Sequence, residues 1–363
     1  MPDPYDTIHA ALDLARYAPS SHNSQPWQVD IGPPDATLTR TVTFCLDEAT
    51  RLRALDTLDA EMAMSLGAFV GVACRAMTLA GLDWTCTALP DDIGVTLRVG
   101  RGSPPSPEAL RRFGDLVHRR RTCRAPFRPD PLTAAQRLAL QARGWPALGI
   151  GTAARVEVLT DRRHCREVAR LVSHFGALDF SDFAAWSETY AHIRFCPAHR
   201  LREGRGFSID SLLGPISRLQ RLGLQIALHP VSLQLLRPFG LPRRLAQGLA
   251  ELTAAAPGVL VLTAQQPDPG VADMIETGAR LSELWLGAAE LGVQVHPLSV
   301  LLQHLEPRQA LQDGLSLPGL PLFIARIGLQ SPPEVRTPRI RLETILRQPE
   351  GAAGMPLTDS IGK

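Results

Sequence analysis

Two stretches of the chain place apolar residues at the spacing of a helix face, and each ends at a glycine. The first is EMAMSLGAFVGVACRAMTLAG, from Glu61 to Gly81, and the second is ETGARLSELWLGAAELG, from Glu276 to Gly292. In the first stretch the apolar face consists of Met62, Leu66, Phe69, Ala73, Met77 and Ala80. This periodicity predicts two long helices, and a glycine commonly follows a helix C-terminus.

The two predicted helices align without a gap, which indicates an internal repeat. The Gly-Ala pair at Gly67 and the terminal Gly81 have the same separation as the pair at Gly278 and the terminal Gly292. Each helix is followed by a short apolar segment that predicts a strand, TLRVG at 96–100 and IARIG at 324–328. Any two buried helices resemble each other, so the matching strands are what favours a repeat.

The repeat predicts an α+β fold with two copies of one unit, residues 1–105 and residues 106–349. The segment RGSPPSPEA, residues 101–109, is the expected boundary. The second copy contains an insertion, about 173–257, with two apolar segments that predict helices. Arginines and prolines interrupt both segments, so a lid or packing layer is expected rather than a membrane anchor. Residues 350–363 lack periodicity and are expected to form a mobile tail.

The composition excludes several classes of protein. The chain has 363 residues, 45% of them hydrophobic, so it can bury a large core. A formal net charge of +2 is too close to neutral for nucleic acid or an anionic membrane to be the main partner, and any basic patch must be local. Six cysteines without metal-site spacing predict no metal and are typical of a cytoplasmic protein. The N-terminus lacks a signal-peptide pattern and no apolar run approaches a membrane span, so a soluble protein is expected.

A polar loop near the start of the chain is the first candidate binding site. The segment YAPSSHNSQPWQV covers residues 17–29. Its hydrogen-bonding side chains are Ser20, Ser21, Asn23 and Gln25, and its flat apolar groups are Pro19 and Trp27. Such a mixture suits a ligand with a polar edge and an apolar face. Trp27 has a second interpretation, as a buried core aromatic, and His22 is expected to be exposed and not catalytic.

Four segments together resemble the nitroreductase superfamily of flavin enzymes. APSSHNSQPW closely resembles the loop that lines the flavin in that family. RRTCRAPF at 120–127 is similar to its phosphate-binding segment, ELGVQVHPLS at 290–299 to its turn beside the isoalloxazine, and TPRIRLETIL at 337–346 to its basic C-terminal element. The resemblance spans nearly the whole chain. It is specific in the first loop and weaker in the other three segments.

The family motifs are divided between the two halves. The first half has the polar loop but no arginine cluster, whereas the second half has the cluster but RGWPALGIG, residues 143–151, where a polar loop is needed. This division resembles the fused, Acg-like branch of the family. That resemblance implies a single-chain pseudo-dimer, with antiparallel or mixed sheets flanked by helices, which is a monomer or a homodimer. It also implies one FMN per chain and a second crevice that is closed or filled by side chains.

The resemblance implies FMN as the cofactor and assigns residues to it. Guanidinium groups match phosphate oxygens well, although an arginine cluster is also typical of a solvated basic face. The phosphate is assigned to Arg120, Arg121, Thr122 and Arg124, joined by Arg339 and Arg341. The isoalloxazine is assigned to the loop residues Pro19, Ser20, Ser21, Asn23 and Gln25, and to the turn Pro297, Leu298 and Ser299.

The function implied is that of an FMN-dependent oxidoreductase acting on a small organic substrate. It is either an NAD(P)H-fed reductase of nitroaromatics or quinones, or a dehydrogenase that works in the oxidative direction in a biosynthetic pathway. A flavin-sequestering protein with an occluding lid and no turnover is the alternative. No catalytic side chain is assigned. The absence of a GxGxxG motif that opens a helix after a strand indicates that there is no separate Rossmann domain.

Overall fold

The computed structural model describes residues 4–142, 147–196, 204–330 and 337–347. Fourteen α-helices in these residues are numbered in chain order. They are α1 (Pro4–Ala15), α2 (Leu58–Leu79), α3 (Pro107–Arg119), α4 (Ala134–Ala142), α5 (Arg162–Phe175), α6 (Ala177–Ser181), α7 (Phe183–Ala191), α8 (Ile209–Leu213), α9 (Arg218–Ala227), α10 (Pro230–Leu236), α11 (Leu241–Ala254), α12 (Val271–Glu290), α13 (Leu305–Gly314) and α14 (Leu342–Ile345). The ten strands are β1 (Trp27–Pro34), β2 (Arg40–Leu46), β3 (Leu82–Ala88), β4 (Gly94–Arg101), β5 (Arg155–Leu159), β6 (Ile193–Arg194), β7 (Phe207–Ser208), β8 (Gly258–Thr263), β9 (Val293–Pro297) and β10 (Pro321–Leu329).

Two four-stranded antiparallel sheets share one topology. The first has the order β1-β2-β4-β3 and the second the order β5-β8-β10-β9. In each sheet the first and second strands in sequence are neighbours, and the fourth lies between the second and the third. A long helix separates the second and third strands in both cases, α2 in the first sheet and α12 in the second. The prediction of an α+β fold is confirmed.

The two long helices pack against each other through glycines. A Cβ on Gly67 would lie 1.9 Å from the carbonyl oxygen of Ile275, and one on Gly278 would lie 2.1 Å from that of Met64. Each glycine therefore meets the residue three positions before the other, and the contact is reciprocal about the crossing point. The absence of a side chain at these two positions lets the helix backbones touch. The glycines that follow the helices, Gly81 and Gly292, both have positive φ, as the sequence predicts.

Helix α2 is apolar on nearly every face because protein surrounds it. It is the one described helix long and apolar enough to cross a membrane, which differs from the sequence-based expectation of no such segment. However, 83% of its most apolar window is buried in the protein. A helix of this kind is the central element of a core.

Most of the additional helices of the second half lie between β5 and β8. The helices of this segment begin with α5 at Arg162 and end with α11 at Ala254. Local signals begin several of these helices: the Asp161 side chain accepts a hydrogen bond from the Arg163 amide, and Ser217 and Gln220 form a capping box at α9. Both apolar segments predicted to be helical are helical, with breaks near Gly214 and Gly240.

Candidate functional site

A cavity of about 390 Å³ lies between the polar loop, α2, the arginine segment, the second sheet and the helices that follow β5. Eleven of the predicted site residues line it. They are Pro19, Ser20, Ser21, Asn23, Arg120, Thr122, Arg124, Pro297, Leu298, Ser299 and Arg339. Segments far apart in the chain, and from both predicted halves, thus contribute to one site.

The polar loop has an unusual backbone that several hydrogen bonds hold in place. His22, Asn23 and Gln25 have φ values of 49°, 53° and 50°, which side-chain-bearing residues seldom adopt. The Ser21 amide donates to Ser65 Oγ at 3.1 Å, and Ser21 Oγ donates to a Glu61 carboxylate oxygen at 2.5 Å. Backbone strain of this kind persists where surrounding contacts fix it, and it is common at ligand sites.

The Asn23 side chain joins the loop to the C-terminal segment. Its Nδ2 donates to the carbonyls of Gly206 and Pro338, at 2.9 and 3.1 Å, and its Oδ1 accepts a hydrogen bond from Arg339 at 2.8 Å. Both of its amide hydrogens are therefore committed to protein carbonyls. The side chain positions Arg339 at the cavity wall.

Three arginines line the large cavity without carboxylate partners among the described residues: Arg120 is buried, and Arg124 and Arg339 are half-buried. Arg120 donates to the Tyr17 carbonyl, Arg339 donates to the same carbonyl and to Asn23, and Arg124 lies over the Phe207 ring. In the part of the chain that the structure describes, none of the three forms a salt bridge with a carboxylate. Nη1 of Arg120 and Nε of Arg339 are buried without hydrogen-bond partners.

Burial weakens the hold of these arginines on their protons. It lowers the pKa of Arg120 to about 9 and those of Arg124 and Arg339 to about 10, and Arg339 and Arg121 depress the pKa of Arg120 further by repulsion. All three groups remain cationic at neutral pH. A cluster of buried cations without acidic partners is unfavourable by itself, so the arrangement indicates a site for an anion.

A second, smaller cavity of about 220 Å³ shares Arg120, Thr337 and Arg339 with the first. Arg16, Tyr17, His118 and Arg121 complete its wall. Arg121 donates to the carbonyls of His118 and Arg120. A compact anion in this smaller cavity would meet several guanidinium groups, and a ligand joined to that anion would extend into the larger cavity.

Three expectations about individual residues, Gln25, Arg341 and His22, need correction, and the structure decides between the two interpretations of Trp27. Gln25 is fully buried and does not line the cavity: it donates to the Gly204 carbonyl at 2.7 Å and accepts from the Ile340 amide at 3.1 Å. Arg341 is exposed at the start of α14 and lines neither cavity. Trp27 is a core residue stacked on Phe69, with ring centroids 4.7 Å apart. His22 is not exposed but lines the cavity, and burial lowers its pKa to about 3.

His296 also lines the cavity, although it is not among the residues selected from the sequence. Its Nδ1 accepts a hydrogen bond from Arg326 Nε at 2.9 Å, so the ring is neutral and carries its proton on Nε2. Burial and the charges of Arg326 and Arg124 lower the pKa of His296 well below its usual value. Arg326 also donates to the carbonyls of Arg124 and Ala125, which fixes the arginine segment to the sheet. The His296-Pro297 dipeptide at the end of β9 lies in the segment 290–299 that is assigned to the flavin by resemblance, and this position could have identified His296 as a site residue.

Two carboxylates also line the large cavity. Glu61 accepts hydrogen bonds from Ser21 and from Gln303 Nε2, the latter at 3.2 Å, and burial raises its pKa. Asp179 accepts a hydrogen bond from His304 at 3.1 Å and burial raises its pKa as well. The wall of the cavity therefore contains cationic, acidic and aromatic side chains, the last including Trp186 and Trp285.

A carboxylate fills the position in the second half that corresponds to the wall of this cavity. In the alignment of α2 with α12, Ser65 corresponds to Glu276. The Glu276 carboxylate accepts hydrogen bonds from the amides of Leu148, Gly149 and Ile150, at 2.7, 3.0 and 3.2 Å. The side chain therefore occupies the amides of the loop that corresponds to the polar loop. Residues 143–146 of that loop lie outside the described residues.

The fold and the site define an α+β protein in which a cationic pocket adjoins a cavity lined partly by aromatic groups. No protein-family model matches the chain. Over 345 residues it is 32% identical to "Probable NAD(P)H nitroreductase PigM" of Serratia sp. (strain ATCC 39006), which covers 93% of this chain and 92% of that protein. The chain belongs to the nitroreductase family.

Two solved structures of low sequence identity are also similar. The FMN-dependent nitroreductase NfnB from Mycobacterium smegmatis, in complex with NADPH, is 21% identical, with a TM-score of 0.39 over 67% of this chain and 98% of that one. A nitroreductase-like family protein from Bacillus cereus is 12% identical, with a TM-score of 0.35 over 65% of this chain and 95% of that one.

Proposed function

We propose that this protein is an FMN-dependent oxidoreductase that takes reducing equivalents from NAD(P)H and acts on a small organic molecule. The observation that carries the proposal is the pair Arg120 and Arg339, which form no salt bridge with a carboxylate among the described residues and line both the smaller and the larger cavity. A phosphate monoester on a planar heterocycle has the matching charge and shape. The family membership and the names of the similar proteins support the same function.

The residues present fit FMN. Arg120, Arg121 and Arg339 line the smaller cavity and would hold the phosphate there, because guanidinium groups match phosphate oxygens. Nη1 of Arg120 and Nε of Arg339 are also buried without hydrogen-bond partners among the described residues. Ser20 and the neutral His296 would offer hydrogen bonds to the polar edge of the ring system. When bound, FMN would supply hydride transfer between a nicotinamide and the second substrate.

The remainder of the cavity suggests an aromatic substrate. Phe180, Trp186 and Phe207 come from the segment between β5 and β8 and line the cavity beside Glu61 and Asp179. These groups would exclude water from the reacting atoms and present flat surfaces for stacking. Nitroaromatic compounds and quinones are the substrates we propose to test first. The oxidative direction is the second test, because the same surfaces would accept a reduced aromatic substrate.

We further propose that the chain is a pseudo-dimer with one composite FMN site. Residues 1–105 and 106–349 would be the two halves, and the identical strand orders and the reciprocal contact of Gly67 and Gly278 support this division. The single site would use the polar loop of the first half and the arginines of the second. Glu276 would disfavour binding in the second crevice, since its carboxylate already occupies the loop amides there.

Anaerobic mixing of the FMN-loaded protein with NADPH or NADH tests the proposed reaction. The visible absorbance of the flavin is expected to bleach, and addition of a nitroaromatic compound or a quinone is expected to restore it. Free FMN at the same concentration is the control for direct reduction. A flavin that persists unbleached, and that no reduced aromatic compound bleaches either, would favour the sequestering alternative and contradict the proposal.

A further inference from the structure

Two consecutive helices in the segment between β5 and β8 present apolar side chains to solvent. On α9, Leu219, Leu222 and Ile226 follow helical spacing and are 80%, 55% and 60% exposed. On α10 and the 3₁₀ turn after it, Val231, Leu235 and Phe239 are similarly exposed. We call these six side chains the apolar ridge. Isolated exposed leucines are ordinary, but a run of large apolar groups in consecutive helices marks an interaction surface.

The charged residues of the segment that carries the apolar ridge have one sign. Residues 211–250 contain five arginines and no aspartate or glutamate, although the whole chain is nearly neutral. Arg221 is paired with Asp210, which precedes this segment. Arg218, Arg237, Arg243 and Arg244 of the same segment are exposed. An apolar face flanked by arginines is the pattern of a helix that lies in the interface of an anionic bilayer.

The same charges argue against a second copy of the chain as the occupant. A twofold contact between two apolar ridges would bring each set of exposed arginines close to the other set, with no acidic side chain in the segment to compensate. Like charges at a contact are unfavourable. An anionic surface removes this repulsion and also accepts the apolar side chains.

We propose that the apolar ridge and its arginines bind the surface of an anionic lipid bilayer, so that the protein is peripherally attached without a membrane span. The helices before and after the apolar ridge also contribute to the large cavity. Leu212 of α8 and Leu249 of α11 line it, so a bilayer bound at the ridge would lie against helices that adjoin the cavity. An apolar substrate dissolved in the bilayer would then be close to the cavity.

Flotation of the full-length protein with lipid vesicles tests the proposal. Vesicles of phosphatidylcholine containing about a third phosphatidylglycerol are expected to carry the protein upward at low salt. Vesicles of phosphatidylcholine alone, or added salt, are expected to reduce binding. Replacing Leu219, Leu222 and Leu235 by glutamine, or Arg218, Arg237 and Arg243 by glutamine, is expected to lower the partition coefficient roughly tenfold or more.

The control carries the same chemical change elsewhere. Leu38→Gln with Leu138→Gln alters two exposed leucines far from α9 and α10 in the chain, and is expected to bind vesicles like the parent. Failure of the parent to float with anionic vesicles would overturn the proposal, as would ridge variants that bind like the parent. A dimer that the ridge variants convert to a monomer would also overturn it, because the occupant would be a second copy. FMN content and NADPH oxidation measured on the same samples test the proposed enzyme independently.

Discussion

Arg120 brings a positive charge into the protein without a carboxylate beside it. At neutral pH, below its folded-state pKa of about 9, the folded protein carries the full cost of that buried charge. The substitution Arg120→Gln is therefore expected to raise the melting temperature of the flavin-free protein. It is also expected to weaken FMN binding by roughly tenfold to a hundredfold, because a charge-assisted hydrogen bond contributes about 1.5 to 3 kcal/mol.

Calorimetric or fluorescence titration of flavin-free protein with FMN measures the loss of FMN affinity, and thermal melts of flavin-free protein measure the rise in melting temperature. Arg341→Gln is the matched control, since this arginine is exposed and lies outside both cavities. It is expected to change neither quantity. Parent-like FMN affinity in Arg120→Gln would mean that the phosphate binds elsewhere, and a strongly destabilised flavin-free variant would mean that the arginine is structural.

Glu61 gives a prediction about pH. Burial raises its pKa above the ordinary value of 4.5, so the folded protein binds the proton more tightly than the unfolded chain does. The contribution of this carboxyl group to stability is complete below about pH 4.5 and is lost as pH rises through the folded-state pKa. The melting temperature of the parent relative to Glu61→Gln is therefore expected to fall as pH rises from acid towards neutrality.

Thermal melts of flavin-free protein across that pH range check this prediction. Glu306→Gln is the control, because it removes an exposed carboxyl group at the start of α13. If the melting temperature of the parent minus that of Glu61→Gln stays constant or rises with pH, the raised pKa of Glu61 is contradicted.

The polar loop shows what a local pattern predicts about individual residues. Its composition indicated a binding loop, and Pro19, Ser20, Ser21 and Asn23 do line the cavity. The same composition did not distinguish Gln25, whose hydrogen bonds go to Gly204 and Ile340, residues that are distant in the chain. His22 was misjudged because its burial depends on Phe207 and His192, which are also distant in sequence.

At the scale of elements, the glycines at the crossing of α2 and α12 carry a sharp prediction. Gly67→Ala would place a Cβ 1.9 Å from the Ile275 carbonyl oxygen, so the two central helices would have to separate. The free energy of unfolding is expected to fall by about 2 to 4 kcal/mol. Chemical denaturation measures this change.

Gly248→Ala in α11 is the control for helix propensity. A Cβ at Gly248 would meet nothing within 4 Å, so alanine there is expected to stabilise the protein by about 0.5 to 1 kcal/mol. Substitution of glycine by alanine is thus expected to lower the free energy of unfolding at Gly67 and to raise it at Gly248. A Gly67→Ala variant as stable as the parent would show that the close crossing is not required.

Helical periodicity is a local property, and for that reason it predicted the central helices and the helical segments after β5. Element boundaries were less accurate: α2 begins at Leu58 rather than Glu61. The pairing of strands could not be predicted, because β10 lies between β8 and β9 through contacts between residues far apart in the chain. The matching of TLRVG and IARIG nevertheless identified the corresponding strands β4 and β10.

At the scale of the whole molecule, the composite site predicts one FMN per chain. The polar loop and the arginine cluster converge on one cavity, whereas at the second position Glu276 accepts hydrogen bonds from three loop amides. These amides are therefore not available to a second flavin ring. FMN is released by denaturation and quantified against protein measured by amino-acid analysis, and the expected ratio is near one FMN per chain. Light scattering gives the solution mass and therefore the number of chains in each particle. A ratio near two would contradict the composite site, and a ratio near one-half would show that two chains are needed to complete it.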